Sequence, residues 1–338
     1  MIEVVAPNLK CRLSGVTATI ARLVPVQARG IGIVATGPGL PAGIPHIPLW
    51  RAATLPRDRW RVWHARRNTE MLLGLILVHG LQRKYRLLFT SASQRRHSGW
   101  TKWLIGRMDS VVATSAKGAA YLEREATVIL HGIDTDSFAP ATKGPLRTRL
   151  GLPDGVLVGC YGRIRSSKGT DNFVAAMIAI LPSRPDVTAV VMGRAVDKDG
   201  AFLDDLKARV VAAGLTDRIL FVPEVTVDRM PDWYAALDLY VAPQRWEGFG
   251  LTPLEAMSCG IPVVATRVGA FEELVAEDTG LLVPPDDLPA LTDAVARLTD
   301  DPATRTAMAT AARTRAENGF RIEDEAEALI TVYRRMLT

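Results

Sequence analysis

The sequence predicts an α/β protein built from two Rossmann-like domains, and three observations support this prediction. Short runs rich in β-branched residues alternate with amphipathic helical patterns along almost the whole chain, as in parallel sheets with crossover helices. The chain has 338 residues, more than the roughly 250 to 300 at which a single hydrophobic core stops growing. A proline-rich segment at residues 138–145 separates one series of predicted strands from a second.

The strand pattern occurs in eleven segments, six before the proline-rich segment and five after it. The predicted strands are 3–6, 32–36, 61–64, 87–91, 111–114, 127–130, 156–161, 189–192, 219–222, 239–242 and 262–265. Near the end of the sequence, apolar residues at helical spacing predict a long helix over 321–338. We therefore assign the first domain to residues 1–142 and the second to 143–320, and we expect the helix at 321–338 to pack back on the first domain.

Charge is unevenly distributed along the chain. The first 100 residues contain 15 Lys and Arg against 3 Asp and Glu, whereas the whole chain has a net charge of only +5. A basic domain of this kind favours an anionic partner: nucleic acid, an anionic membrane or an acidic substrate. Within the basic segment 95–107, Trp100, Trp103 and Leu104 share a predicted helical face flanked by cations, which is typical of an interfacial helix. Packing of both tryptophans in the core is the alternative.

Cysteine usage and hydropathy indicate an ordinary cytoplasmic protein. The three cysteines, Cys11, Cys160 and Cys259, are widely spaced and form no CxxC pair, which argues against a disulfide framework and against a zinc site. The sequence opens without a secretory signal pattern. No uninterrupted apolar stretch approaches the ~20 residues needed to span a membrane.

Two segments resemble ligand-binding motifs, but we do not assign a ligand to either of them. Gly37–Gly43 follows a predicted strand and resembles a dinucleotide fingerprint, but the prolines after it cannot open the helix that would bind a pyrophosphate. Asp134 and Asp136 form a DxD in a loop, where aspartates commonly make turns. We therefore expect no cofactor and no metal.

The second domain contains two places where a strand is followed by a polar turn and then a helix, which is where open α/β sheets bind ligands. The first is GRIRSSKG at 162–169, with Arg163 and Lys168 in a loop of small residues. An arginine can bind a phosphate in a bidentate fork, and a lysine adds a compact second charge. This corner therefore predicts a phosphate-binding loop; two solvated loop cations are the alternative.

The second corner is the stretch EGFGLTPLE, in which Glu247 and Glu255 flank a glycine turn. Gly248 and Gly250 would let backbone N–H groups approach an anionic ligand closely. Glu255 fits a capping box with Thr252, and it could also accept hydrogen bonds from a diol. Glu247 has no comparable structural role, because an acid at a strand end beside a glycine turn usually faces a cleft.

These two motifs, together with VVMGR at 190–194 and GLLVPPDD at 280–287, resemble the nucleotide-sugar domain of retaining glycosyltransferases of the GT-B fold, family 4. The resemblance implies two Rossmann-like domains that face a central cleft. It also implies metal-independent transfer of a sugar from a nucleotide-sugar donor bound by the second domain.

The same resemblance implies roles for the candidate residues. Glu255 would bind the ribose hydroxyls, Glu247 the hydroxyls of the donor sugar, and Arg163 and Lys168 the diphosphate. The other donor-binding residues implied are Gly193, Glu224, Val225, Gly248, Phe249, Gly250, Leu251 and Thr252.

The first half resembles this fold more loosely. Ser14-Gly15-Val16 stands where the family has a glycine loop that reaches the donor phosphates, which implies a donor contact at Gly15. The segment VWHAR at 62–66 stands where many members have His-x-His near the reacting sugar. Its second position is Arg66 here, so His64 and Arg66 are both catalytic candidates.

More narrowly, the segments 6–20, 63–71, 89–115 and 128–138 resemble lipopolysaccharide core mannosyltransferases. That resemblance implies transfer of mannose from GDP-mannose to a Kdo sugar of the inner core. Such an acceptor is an anionic glycolipid in the cytoplasmic leaflet, where a basic domain gains roughly 1 kcal/mol per nearby cation. We therefore expect a protein peripheral on the inner face of the inner membrane, with acceptor contacts at Arg95, Arg96, His97 and Lys102.

Other functions remain as alternatives. The nearest is a related transferase that uses a UDP- or ADP-linked sugar or another anionic lipid-linked acceptor. A nucleic-acid-binding protein would explain the basic half, but the arginines show no RNA-binding signature, so we expect no nucleic-acid partner. A glycosidase would explain the paired carboxylates, but it needs them facing each other across a sugar.

Overall fold

A computed structural model describes residues 1–11 and 15–338 and divides the chain into two compact units. Unit 1 contains residues 1–132 and 322–338, and unit 2 contains residues 133–321. Each unit is a parallel β-sheet covered by helices. The predicted fold class, α/β with two Rossmann-like domains, is confirmed.

The strands and helices alternate along the chain as the hydrophobic pattern predicts. The strands are β1 Val4–Pro7, β2 Ile33–Thr36, β3 His46–Ile47, β4 Arg61–Ala65, β5 Tyr85–Ser91, β6 Ser110–Ala113, β7 Thr127–Val128, β8 Val156–Tyr161, β9 Val187–Met192, β10 Ile219–Val222, β11 Leu239–Ala242, β12 Val263–Thr266 and β13 Gly280–Val283. The α-helices are α1 Gly15–Gln27, α2 Leu49–Thr54, α3 Asn68–Leu75, α4 Gly99–Ile105, α5 Ala116–Ala120, α6 Lys143–Leu150, α7 Thr170–Ile180, α8 Gly200–Ala212, α9 Met230–Ala235, α10 Thr252–Ser258, α11 Phe271–Leu274, α12 Leu288–Asp300, α13 Pro302–Gly319 and α14 Ile322–Leu337. Among residues 1–11 and 15–338, no helix is long and apolar enough to cross a membrane.

The sheet of unit 1 has seven parallel strands in the order β3-β2-β1-β4-β5-β6-β7. Helices α1 and α14 cover one face, where Leu23 and Tyr333 pack with strand residues such as Val62. Trp63 and Met71 belong to the core on the opposite face. Helix α14 therefore completes the core of unit 1, although unit 2 separates it in sequence from the rest of that unit.

The sheet of unit 2 has six parallel strands in the order β10-β9-β8-β11-β12-β13. Strands β8 and β9 are almost entirely buried, as expected of a parallel sheet covered on its faces. From β8 the chain adds β9 and β10 on one side of the sheet, and from β11 it adds β12 and β13 on the other side. The carboxyl ends of β8 and β11 therefore border the crevice where such sheets bind ligands.

The boundary between the units lies ten residues earlier than the sequence indicated, at Gly132/Ile133 rather than at 142/143. The intervening segment packs on unit 2, where Phe138 lies with its ring centroid 6.1 Å from that of Tyr234. The Phe138 carbonyl also accepts hydrogen bonds from Ser258 Oγ at 2.6 Å and from Arg313 at 2.9 Å. The proline-rich segment therefore lies inside unit 2 and is not the point where the chain passes between units.

Candidate functional site

The two polar corners of unit 2 meet at the carboxyl ends of β8 and β11. Lys168, in the turn after β8, forms an ion pair with Glu247, which follows β11; Nζ of the lysine donates to Oε2 of the carboxylate. The two side chains are 21% and 18% exposed, so the pair is partly shielded from water. The fold therefore brings the predicted phosphate-binding lysine and the predicted sugar-binding glutamate into direct contact.

Backbone contacts fix the loop that contains Lys168. The Gly162 N–H donates to the Met192 carbonyl at 2.9 Å, which joins the loop to the end of β9. Gly169 has φ +68°, and a Cβ at this position would lie 1.8 Å from the carbonyl oxygen of Pro243. Only glycine therefore lets the loop lie directly against the end of β11.

Arg163 lies in the same loop with an exposed side chain. Together with Lys168 and Gln244 it lines a small cavity of about 10 Å³. Gln244 is only 4% exposed, and its Oε1 has no hydrogen-bond partner among the residues that the structure describes. Sequence reasoning missed Gln244, although its position three residues before Glu247 could have indicated it.

The glycine turn after Glu247 is tightly packed. Oε1 of Glu247 accepts a hydrogen bond from the Gly248 N–H at 3.0 Å. Gly250 has φ +89°, and a Cβ there would lie 2.3 Å from the ring of Phe271. Phe249 is buried, and its carbonyl accepts from the Ala270 N–H at 3.0 Å. The turn is therefore a rigid support for Glu247.

The predicted capping box does not form. Helix α10 begins at Thr252 with Leu251 as its N-cap residue, and no side chain caps it. The carboxylate of Glu255 instead accepts a 2.7 Å hydrogen bond from the hydroxyl of Tyr234. The Tyr234 hydroxyl, from the neighbouring helix α9, therefore helps to orient Glu255.

Tyr234 was also missed by sequence reasoning. Its ring is fully buried and lies 5.1 Å from Tyr161 and 5.3 Å from Tyr240 between centroids. Burial, and then the charge of Glu255, raise the pKa of Tyr234 well above its ordinary value. The phenol therefore stays protonated and remains a donor to Glu255.

The remaining predicted donor residues of unit 2 follow the neighbouring strands. Gly193 follows β9, and its N–H donates to the Val222 carbonyl at 3.1 Å. Glu224 and Val225 follow β10, and the Glu224 carboxylate lies 3.8 Å from Nε of Arg194 with both side chains largely exposed. These residues lie at the same edge of the sheet as Lys168, beyond β8.

His64 and Arg66, the two catalytic candidates of unit 1, are both buried in the structure. His64 has no exposed surface; its Nδ1 lies 2.7 Å from the Tyr333 hydroxyl and its Nε2 lies 2.6 Å from the Thr90 hydroxyl. Arg66 is 9% exposed, and its guanidinium lies 3.3 Å from the His64 ring. Burial, and then the charge of Arg66, lower the pKa of His64 well below its ordinary value. The neutral imidazole thus joins β4 to α14 within the core.

At the carboxyl ends of β1 and β4, a hydrogen-bonded network lies where unit 1 was expected to contact the donor. Gly15 is the first residue of α1, and Ser14 lies outside the described residues. Arg67 donates to Asn8 Oδ1 at 2.8 Å and to Glu70 Oε1 at 2.7 Å. Glu70 has no exposed surface. This network ties the two strand ends together and was not predicted.

The basic segment of unit 1 presents its tryptophans to solvent. Trp100 and Trp103 are 50% and 42% exposed and stack with centroids 5.0 Å apart. The guanidinium of Arg107 lies 3.6 Å from the Trp103 ring. Leu104 is fully buried, so it does not share the face of the tryptophans. The alternative in which both rings pack in the core is wrong.

The four expected acceptor-binding residues lie in or beside α4. Arg95 and Arg96 are exposed, and Lys102 forms a 2.6 Å ion pair with Glu123. Burial, and then the charges of Arg95 and Lys102, lower the pKa of His97. His97 therefore adds little positive charge near neutral pH, and the cationic character comes from the other three residues.

Asp134 makes the predicted turn. Its Oδ1 accepts from the N–H groups of Asp136 and Ser137 at 3.1 and 3.0 Å, and its Oδ2 accepts from the Ser137 hydroxyl at 2.6 Å. Within the described ranges, no group of three or more His, Cys, Asp or Glu side chains is arranged to hold a metal ion.

Comparisons with known proteins show the family to which the chain belongs. Residues 146–315 match the family model described as Glycosyl transferases group 1. The chain is 55% identical to the lipopolysaccharide core biosynthesis mannosyltransferase LpsB of Rhizobium meliloti (strain 1021), over 99% of this chain and 98% of that protein. It is 50% identical to the lipopolysaccharide core biosynthesis mannosyltransferase LpcC of Rhizobium leguminosarum bv. viciae, over 99% of this chain and 97% of that protein. In fold it is similar to Anabaena Alr3699/HepE in complex with UDP, with TM-score 0.86, 20% identity and coverage of 99% and 100% of the two chains.

Proposed function

Because the chain belongs to the group 1 glycosyl transferases, we propose that it transfers mannose from GDP-mannose to a Kdo residue of the lipopolysaccharide inner core. Two relatives of 55% and 50% identity, each aligned over 99% of this chain, carry the name lipopolysaccharide core biosynthesis mannosyltransferase. The structural observation that carries the proposal is the ion pair between Lys168 and Glu247 at the carboxyl ends of β8 and β11. The donor and the acceptor are taken from the resemblance.

The donor is proposed to bind across β8 and β11. Its diphosphate contacts Lys168 and Arg163, since these cations line one cavity at the end of β8. Its ribose contacts Glu255, which Tyr234 holds in place through a hydrogen bond. Its mannose contacts Glu247, the carboxylate nearest to Lys168.

The proposed reaction exchanges the sugar–phosphate bond for a glycosidic bond with retention of configuration. The leaving GDP gains negative charge as the bond to the anomeric carbon breaks, and cations aimed at that charge stabilise the transition state. Arg163 and Lys168 would supply this stabilisation, so we propose that the reaction requires no metal ion. The acceptor hydroxyl forms the new bond to the anomeric carbon and gives its proton to the phosphate oxygen of the leaving GDP.

The acceptor is proposed to approach unit 1 at an anionic membrane surface. The exposed Trp100 and Trp103, beside Lys102 and Arg107, combine apolar rings with cations as in interfacial helices. Kdo and the phosphates of lipid A would meet Arg95 and Arg96 there. We therefore propose a peripheral location on the inner face of the inner membrane and no nucleic-acid partner.

A binding panel tests the donor assignment. The melting temperature is measured with GDP, UDP, ADP or duplex DNA, because a ligand that binds the native state stabilises it, by about 2.7 kcal/mol at a hundredfold excess over Kd. We expect GDP to give the largest increase. A larger increase with UDP or ADP would replace the proposed donor, and stabilisation by DNA alone would overturn the transferase assignment for this site.

A transfer assay tests the acceptor and the metal independence. Labelled mannose from GDP-mannose should be incorporated strongly into Kdo-bearing lipid A and weakly into neutral sugars, and acceptor affinity should fall as salt rises. Replacement of Arg95, Arg96 and Lys102 by Gln should raise acceptor KM while GDP affinity stays unchanged. Activity should survive EDTA; a loss on chelation that magnesium restores would contradict the metal-independent mechanism.

A further inference from the structure

Arg245 uses all five of its guanidinium N–H donors. Its two terminal nitrogens donate to the carboxylate of Asp171 in a bidentate arrangement, at 2.7 and 2.9 Å. Its Nε donates to Asp286, and the remaining donors go to the carbonyl of Ser166 and to Oδ1 of Asn172, the latter at 3.2 Å. The side chain is only 24% exposed. Arg245 therefore has no donor left for a ligand.

The partners of Arg245 belong to three different segments around the candidate donor site. Ser166 lies in the loop that contains Lys168, and Asp171 lies in the first turn of α7. Asp286 lies in the turn after β13, within the GLLVPPDD motif. A single side chain thus joins the ends of β8, β11 and β13.

The hydrogen bond from Arg245 also stabilises an unfavourable backbone conformation at Asp286. Asp286 has φ +61°, a left-handed conformation that costs a non-glycine residue about 1 kcal/mol or more. Its carboxylate accepts from Arg245 Nε and from Asn172 Nδ2, the latter at 3.2 Å. The hydrogen bonds to this carboxylate offset the strain of the turn.

Arg245 is connected to both members of the Lys168–Glu247 pair. Its backbone N–H donates to the carbonyl of Ser167 at 3.2 Å, directly before the lysine. Along the chain it precedes Glu247 by two residues, with exposed Trp246 between them. The side chain therefore restrains the loop on one side of the pair and the strand end on the other.

We propose that Arg245 is the positioning residue of the donor site: it holds the Lys168 loop, the start of α7 and the Asp286 turn against the end of β11, and so sets the separation of Lys168 and Glu247. This inference rests on the proposed function, because it assigns the diphosphate to Lys168 and the sugar to Glu247. A small displacement of preorganised groups is costly, since a shift of about 1 Å can lower turnover on the order of 100-fold.

The test compares Arg245 with a matched arginine in the same unit. Arg184 forms a similar two-point ion pair with Asp300, with Nε at 2.6 Å and a side chain 23% exposed, but it joins α12 to the turn before β9 and contacts no donor-site residue. The variants are Arg245→Met, Arg245→Lys and Arg184→Met. Arg245→Lys keeps the charge but lacks the planar fork with five donors.

Three measurements are made on each variant: the melting temperature, steady-state kcat and KM for GDP-mannose, and hydrogen exchange of the backbone amides of residues 165–169 and of Asp286 and Asp287. We expect Arg245→Met to lower kcat about 10-fold or more and to raise KM for GDP-mannose, with partial recovery in Arg245→Lys. Its melting temperature should fall further than that of Arg184→Met, because Arg245 also supports the Asp286 turn, but the variant should remain folded at the assay temperature. Exchange in both segments should accelerate only in the Arg245 variants.

The outcomes separate this inference from the proposed function. Hydrogen exchange requires no donor, so unchanged exchange in Arg245→Met overturns the inference even if the transferase assignment stands. Faster exchange with unaltered kcat and KM also overturns the inference. Loosening the loop at 165–169 would then not affect catalysis by Lys168. If the wild-type protein binds no GDP, UDP or ADP, the proposed function fails, while exchange still shows whether Arg245 holds the three segments together.

Discussion

The ammonium of Lys168 donates to the carboxylate of Glu247, so the candidate phosphate-binding cation and the candidate sugar-binding anion neutralise each other in the free chain. A donor diphosphate has to compete with this carboxylate for the lysine. Glu247 then becomes available to accept hydrogen bonds from sugar hydroxyls. Donor binding would therefore exchange one ion pair for another and would not require an unpaired lysine beforehand.

Replacement of Glu247 by Gln separates binding from chemistry. The amide no longer competes with the diphosphate for Lys168, so GDP affinity should rise several-fold, measured by calorimetry. Turnover with GDP-mannose should fall about 100-fold, by analogy with the loss of one preorganised group. Glu272→Gln is the control, because Glu272 pairs with Arg267 at 3.4 Å in the same unit. A loss of GDP affinity in Glu247→Gln would show that the carboxylate contacts the nucleotide itself.

Tyr234→Phe removes only the hydroxyl that orients Glu255. A buried hydrogen bond contributes about 1 kcal/mol net, so the variant should lose roughly that much stability and should bind GDP about 5- to 10-fold more weakly. Tyr333→Phe is the matched truncation in unit 1, where the hydroxyl bonds His64 and Gln27. That variant should lose stability while its GDP affinity stays normal. Equal GDP affinity in both variants would remove Tyr234 from the donor site.

Trp100→Ser combined with Trp103→Ser should release the protein from anionic vesicles without unfolding it, because both rings are about half exposed. Vesicle sedimentation measures binding, and circular dichroism reports folding. Trp60→Ser is the control: Trp60 is 42% exposed with Arg86 over its ring at 4.4 Å, the same arrangement elsewhere in unit 1. Undiminished vesicle binding by the double variant would place the membrane contact outside α4.

Buried His64 predicts a pH dependence of stability. Its pKa is lowered in the folded chain from the ordinary value of 6.5, so below that pH the unfolded chain binds one more proton than the folded chain. The free energy of unfolding should therefore be constant above pH 7.5 and should fall below pH 6.5, by at most about 1.4 kcal/mol per unit. His64→Gln should reduce this slope. Identical slopes in the wild-type protein and the variant would refute the assignment.

Strand positions could be predicted from the sequence because a parallel sheet is buried on both faces and its strands are continuous apolar runs. All eleven predicted strands occur, with ends shifted by at most two residues. Two observed strands, β3 and β13, were not predicted, each for a local reason. Strand β3 has two residues after Pro45, and β13 runs into prolines after four residues. Both lie at sheet edges, where little apolar surface is required.

The site was less predictable, because its geometry depends on partners that are distant in sequence. Glu255 fits a local capping box in sequence, but the tertiary hydrogen bond with Tyr234 is the one that forms. The partners of Arg245 lie 74 and 41 residues away, at Asp171 and Asp286. Residue type alone marked His64 as a candidate, whereas its burial could be known only from the fold.

The discontinuity of unit 1 has a consequence for biosynthesis on the ribosome. Unit 2 is one continuous stretch, 133–321, and all of it is translated before the helix containing Ile322, Leu329 and Tyr333 is made. Domains commonly fold in order from the N-terminus, but unit 1 lacks part of its core until that helix is available. Until then the part of the core that α14 covers is exposed and His64 lacks the Tyr333 hydroxyl. We therefore expect the nascent chain to complete its second domain before its first, and to need α14 before residues 1–132 reach their final stability.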